Sequence, residues 1–258
     1  MQKCKKKNSL CAFSKLSIQR LFGKIILKEN IRADSSKSKI LIAHKVQKGG
    51  TSMPSEKTCT NCVSKEEKIQ KIIAIEWAMF DCVNKGKGRA SCQDDPDTFL
   101  IMRQAQFDAW CEELVDSYLS DLLIADAKGM NLIELKYLYM MCGFHLDEFM
   151  EQAHYPGKEN RVLTKKIMNI MTAWSEQVMQ EFPSLQLYSR PLSSMADYKG
   201  AISIETYQRC ELLTYSRDTL RLFYDYVLEL QENKLNLPFM ILRNTALMQQ
   251  TAAKNQKE

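Results

Sequence analysis

Four charged residues stand where apolar ones are expected. At 100° per residue, Ile69, Ile72, Ile73, Phe80 and Val83 fall within about ±60° of Glu76, which centres one helical stripe. Phe99, Phe107, Trp110 and Leu114 share a stripe with Arg103, Gln106 and Asp121. Arg103 and Asp121 are 18 residues apart, five full turns of one helix, and so point the same way. Cys210, Leu213, Leu220, Tyr224, Val227 and Leu228 surround Arg217. A carboxylate in an apolar interior is costly unless paired. Glu76 and Asp121 are therefore expected to meet Arg103 and Arg217, two acids against two bases, or a ligand. In one reading the group is an ion-pair network that fixes helix register. In the other it lines a polar cavity, where Arg89, Arg103 and Arg217 hold an anionic group and Glu76 or Asp121 acts as acid or base.

A second candidate is the segment 86–95, Gly-Lys-Gly-Arg-Ala-Ser-Cys-Gln-Asp-Asp. It ends at a helix N-terminus, where free backbone N–H groups accept anions. Gly86, Lys87, Gly88 and Arg89 suit a phosphate, but the Walker spacing GxxxxGK[ST] is absent. Gln93 and Asp94, with Gln106 and Trp110 beyond, complete a ligand-binding set around the pocket. Cys92 as a nucleophile needs His145 or His154 brought in by the fold.

A third candidate is a metal site. Asp147, Met150, Glu151 and His154 share one face of a short helix, and Glu151-Gln-Ala-His154 is an ExxH pair. A di-iron centre requires a second ExxH, which is missing, so no metal is assigned and Glu151 and His154 stay weak candidates. Cys59-Thr-Asn-Cys62 is a lone CxxC; none of His44, His145 and His154 stands at finger spacing, and the pair reads as incidental thiols. No residue pattern names a cofactor.

The elements that must position these residues are helices. Helical periodicity recurs from Glu66 onward, with no convincing alternating strand. It predicts helices near 66–84, 96–128, 131–142, 146–154, 159–181, 203–232 and 239–253. Asp95-Pro96 reads as an N-cap with proline in the first turn. Gly129 and Gly143 read as helix stops, Pro183 ends the fifth helix and Pro238 opens the last. On 159–181, Leu163, Ile167, Ile170, Met171, Trp174 and Val178 form an ordinary core stripe. With only 9 Gly and 6 Pro in 258 residues, a sandwich or barrel is disfavoured. The expected fold is all-α: a single globular helical bundle of about six to seven helices over 65–258, behind a disordered basic leader and linker, 1–64.

Charge separates those two parts. Residues 1–52 hold 13 Lys and Arg against Glu29 and Asp34, a net +11. The remainder holds 23 against 29 acids, a net −6. A nucleic-acid partner is therefore not expected for the body, despite the overall +5. Within the leader, Phe13, Leu16, Ile18, Leu21, Phe22, Ile25 and Ile26 share a broad helix face, with Lys15, Lys24 and Lys28 elsewhere. Met53-Pro54-Ser55-Glu56 follows at the change of sign, so an internal start at Met53 is the competing expectation. No apolar run approaches the roughly 18 residues of a transmembrane helix, and no secretory signal is found. Nine cysteines are sparse and odd in number, which suits reduced thiols and a cytoplasmic protein.

One long motif carries a resemblance. Glu76-Trp77-Ala78-Met79-Phe80, Gly88-Arg89-Ala90-Ser91-Cys92-Gln93-Asp94-Asp95, Thr98-Phe99, Ile101-Met102-Arg103, Gln106-Phe107 and Trp110 resemble a bacterial family, domain of unknown function 4125. The similarity continues through Ser117-Tyr118, Asp121-Leu122, Asn131-Leu132 and Lys136-Tyr137, over about residues 66–250. It implies a bacterial, cytoplasmic helical protein and transfers no functional residue. Three functions stay open: a binder or enzyme for a small anionic ligand, a non-catalytic helical interaction module, and a carboxylate/His metalloprotein. Oligomeric state is not readable.

Overall fold

The computed structural model describes residues 63–83, 91–142, 156–187, 190–198 and 202–255. Among them are eight α-helices and no β-strand. Helix α1, Lys65–Asp81, opens on a capping box: the Ser64 side chain accepts from the Glu67 N–H, and the Glu67 carboxylate accepts from the Ser64 N–H at 2.8 Å. Helix α2, Pro96–Asp108, starts as its sequence implies, with Asp95 accepting from the Thr98 N–H and proline in the first turn. Helix α3, Glu112–Ala127, ends before Gly129, whose φ of +65° turns the chain in the left-handed region. Helix α4, Leu132–Cys142, is capped by Asn131, which accepts from the Glu134 N–H at 2.9 Å. Helix α5 is Lys158–Glu181, and Pro183 follows it into a 3-10 turn. Helices α6, Ile204–Leu212, and α7, Arg217–Glu232, each begin on a serine cap, Ser203 and Ser216. Helix α8 is Leu237–Asn255, with Pro238 in its first turn.

Two helices expected to be long are broken, and this accounts for the higher count. The span 96–128 bends at 109–111, where sequence offers no glycine, proline or side-chain cap; Cys111 takes an extended ψ of 161° without a capping bond. The turn instead sinks Ala109 and Trp110 into the core. Its freed carbonyls are taken up from far along the chain. The Lys65 ammonium donates to Trp110 O at 2.6 Å, and the Tyr226 hydroxyl donates to Ala109 O at 2.5 Å. The span 203–232 bends between Leu213 and Ser216. The helix expected at 146–154 and the Gly143 stop lie outside the described residues.

Helix α1 packs against α2, α3 and α4; α7 bridges α3 and α5; α8 lies on α2 and α5; and α6 sits between α4 and α5. Ile69, Ile72, Phe107, Leu114, Tyr118, Leu122, Ile167, Leu220 and Val227 are buried in one continuous core. On α5, Ile167, Met171, Trp174 and Val178 are buried as the stripe implies, with Leu163 and Ile170 at its margin. A smaller cluster joins Val178, Phe182 and Leu185 to Ala246 of α8. No described helix is long and apolar enough to cross a membrane.

Candidate functional site

Glu76 lies on the inner face of α1 and has no solvent exposure. Burying that carboxylate requires donors, and α2 supplies them. Arg103 reaches across with its guanidinium edge-on, Nε to Oε2 at 2.6 Å and Nη2 to Oε1 at 2.5 Å. The planar fork fits a carboxylate with two parallel bonds, a geometry lysine cannot make. From α3, the Tyr118 hydroxyl donates to Glu76 Oε1 at 2.6 Å. Arg103 Nη1 turns away from Glu76 and donates to Gln106 Oε1 at 2.9 Å and to Glu211 Oε1 of α6 at 3.0 Å.

Glu211 is the second buried carboxylate. Its Oε1 also accepts from Gln106 Nε2 and from the Tyr215 hydroxyl, each at 3.0 Å. Its Oε2 accepts from the Lys136 ammonium of α4 at 2.6 Å. That ammonium lies 3.6 Å from the Tyr207 ring centroid, a cation–π contact on its other side. Two carboxylates and two cations close a neutral cluster that joins α1, α2, α3, α4 and α6. Aromatic rings wall it: Arg103 stacks 4.8 Å from the centre of Phe107, and Phe107, Trp110, Tyr118 and Tyr215 pack edge to face or tilted around it.

The cluster sets its own protonation. Burial works to raise the Glu211 pKa, but the charges of Arg103 and Lys136 win and hold it far below the usual carboxylate range. Burial likewise works to neutralise Lys136 and Arg103. The charge of Glu211 overrides this for Lys136, and Glu211 with Glu76 does so for Arg103, so both stay charged with raised pKa values. Tyr118 and Tyr215 are pushed well above the ordinary phenol value, by burial first and then by Glu76 and Glu211 respectively. They stay neutral donors.

The residues expected from sequence divide into three groups. Glu76, Arg103 and Gln106 come together as foreseen, with the Trp110 ring beside them. Two acids do meet two bases, but Glu211 and Lys136 take the places foreseen for Asp121 and Arg217. The bend at 109–111 removes the five-turn register that aligned Asp121 with Arg103. Asp121 instead accepts the Ser216 N–H at 2.9 Å. The bend before Ser216 puts Arg217 in the first turn of α7, where its side chain is 54% exposed and pairs with Glu159 at 3.3 Å. Gln93 is buried, but as a helix stop: its Nε2 donates to Phe80 O and Val83 O at the end of α1. Cys92 is half-buried against the core and Asp94 is exposed. Arg89, Glu151 and His154 lie outside the described residues. Among the described residues no group of three or more His, Cys, Asp or Glu could hold a metal ion.

Glu211 escaped sequence reading for a local reason. Helix α6 is too short to show a stripe, and its phase is lost when 203–232 is read as one helix. The usable sign was Tyr207, Glu211 and Tyr215 at steps of four, a polar residue between two rings.

The model of the family described as "Protein of unknown function (DUF4125)" matches residues 66–257, and the chain belongs to that family. No curated protein and no solved structure matches it.

Proposed function

We propose that this member of the family is a non-catalytic helical interaction module, and that its buried charges serve to fix the arrangement of its helices. The closure of the cluster carries this reading. Both oxygens of Glu76 and both oxygens of Glu211 accept hydrogen bonds from within the chain. The charges balance two against two, so no net field invites an anion. An acid or base that works on a substrate needs a face turned towards it. Glu76 has none, and Glu211 is held ionised far below neutral pH, which suits a fixed counter-charge better than a proton shuttle. A buried, fully bonded polar group can specify one packing over its competitors, a role known from helical assemblies.

The anionic-ligand reading makes the opposite demand, namely that Arg103 release Glu76 or Glu211 to hold an incoming anion. A melting screen separates the two. Under the module reading, phosphate and small carboxylates leave the melting temperature of the full chain unchanged, and Glu76→Gln lowers it sharply. A rise in melting temperature with an anion, lost in Arg103→Met while that variant still folds, overturns the reading.

A further inference from the structure

Arg243 of α8 stands apart from the other arginines. Among the described residues, Arg103, Arg161, Arg190, Arg209, Arg217 and Arg221 each donate to a carboxylate, a hydroxyl or a carbonyl of the chain. Arg243 makes no ion pair, and its Nε is shut off from water without an acceptor, while its Nη atoms reach solvent. A buried donor left unmet on a cation is costly and calls for a reason. The helix that carries it is also unusual. Between Leu237 and Asn255 there is no Asp or Glu, although residues 53–258 have a net charge of −6. Two sides of α8 are taken up. One faces α2, where Asn244 donates to Ala105 O. The other faces α5 and the turn after it, where Ala246 and Leu242 meet Val178 and Phe182. The third side presents Met240, Arg243, Leu247, Gln250 and Lys254, at steps of three, four, three and four. That is the spacing of a seam on which another helix packs. Leu247, at its middle, is 46% exposed, with Met240 and Gln250 half-buried beside it.

We infer that this seam docks an acidic amphipathic helix of another protein, with Arg243 as the anchor for one of its carboxylates. The inference rests on the interaction-module reading and supplies the chemistry of the partner. Charge selects the occupant. Arg243 and Lys254 are the only ionised side chains of α8, so an incoming helix meets two cations and no acid. The two stand eleven residues apart, about three turns, so carboxylates at the same interval face both. Apolar residues between those carboxylates meet Leu247, and one beyond them meets Met240. A second α8 cannot fill the place: laid side by side in either direction, two copies bring four cations and no carboxylate to the seam. The anchor is also prepared. A guanidinium that has lost part of its hydration to packing gains more from a carboxylate than a solvated one does. Its Nη atoms offer the free end to which that carboxylate binds.

Selection from a library of phage-displayed helical peptides, varied along one face, on the immobilised full chain tests this. The enriched peptides should carry Leu, Ile or Met at 3–4 spacing together with Asp or Glu. Arg243→Met should weaken their binding at least about tenfold. Its melting temperature should stay unchanged, because no bond within the chain is lost. Selection on Arg243→Glu should replace the enriched acid by Lys or Arg, and Leu247→Asp should abolish capture. Four results overturn the proposal: no enrichment, enriched peptides without carboxylates, equal binding to Arg243→Met, or light scattering that shows the full chain self-associating through Leu247. The last would give the seam to a second copy. An anion found at Arg103 would sink the module reading and leave the selected peptides in place. An empty selection would sink only the docking at α8.

Discussion

At the scale of the residue, the decisive fact is that Glu76 and Arg103 are worth little apart. A paired buried ion contributes modestly against an apolar pair of equal size, yet one member left alone is costly. Glu76→Gln turns an amide donor towards Arg103 and should cost roughly 3–5 kcal/mol. For a domain of this size that lowers the melting temperature by roughly 6–20 °C, as read by calorimetry or circular dichroism. Glu76→Gln combined with Arg103→Met should cost clearly less than the sum of the two single changes, because neither leaves its partner charged and stranded. Strict additivity in that double-mutant cycle would show that the two side chains do not act on each other. The same charges set a pH window. The lowered pKa of Glu211 gives stability that is complete above its ordinary 4.5 and drains away as acid approaches its folded value. The raised pKa values of Lys136 and Tyr118 give stability that is complete below their ordinary 10.5 and 10.0 and is lost in stronger alkali. Denaturant midpoints should therefore hold between about pH 5 and 10, as far as these groups decide it, and fall on both sides. In Glu211→Gln the acid limb should flatten.

At the scale of the element, helices here are ended by side chains from other segments of the chain. Gln93 closes α1, Asn131 donates to Met79 O at 2.7 Å, Asn244 donates to Ala105 O at 3.3 Å, and Tyr226 and Lys65 close α2. Tyr226→Phe removes one bond and no volume, so it should cost about 1 kcal/mol in denaturant unfolding. Burial pushes that hydroxyl up to about 12, so the difference from wild type should persist at pH 10. This arrangement explains which elements could be read from sequence. The starts of α1, α2, α4 and α5 were legible within a residue or so, because apolar periodicity and, at Asp95-Pro96, a local cap mark them. The bend at 109–111 was not, because its cause is the burial of Trp110 and two donors 45 and 117 residues away. The candidate site inherited that error. Glu76 and Arg103 were legible from a charge centred on an apolar stripe, while Asp121 and Arg217 were misplaced by helices read as unbroken.

At the scale of the molecule, the neutral cluster and the aromatic wall sit where five helices converge. We propose residues 65–258 as an autonomous folding unit. A chain beginning at Met53 should melt with the same midpoint and the same cooperativity as the full chain, and a broadened or lowered transition would refute that boundary. The helix junctions have a further consequence. In most helical proteins the connections are where evolution and the engineer find room for added residues, since loops tolerate lengthening at little cost. At 109–111 one extra residue would rotate Trp110 out of its ring of neighbours and carry two carbonyls away from Lys65 and Tyr226. The shortest connection in this bundle thus behaves like core, and length variation is expected to accumulate elsewhere along the chain.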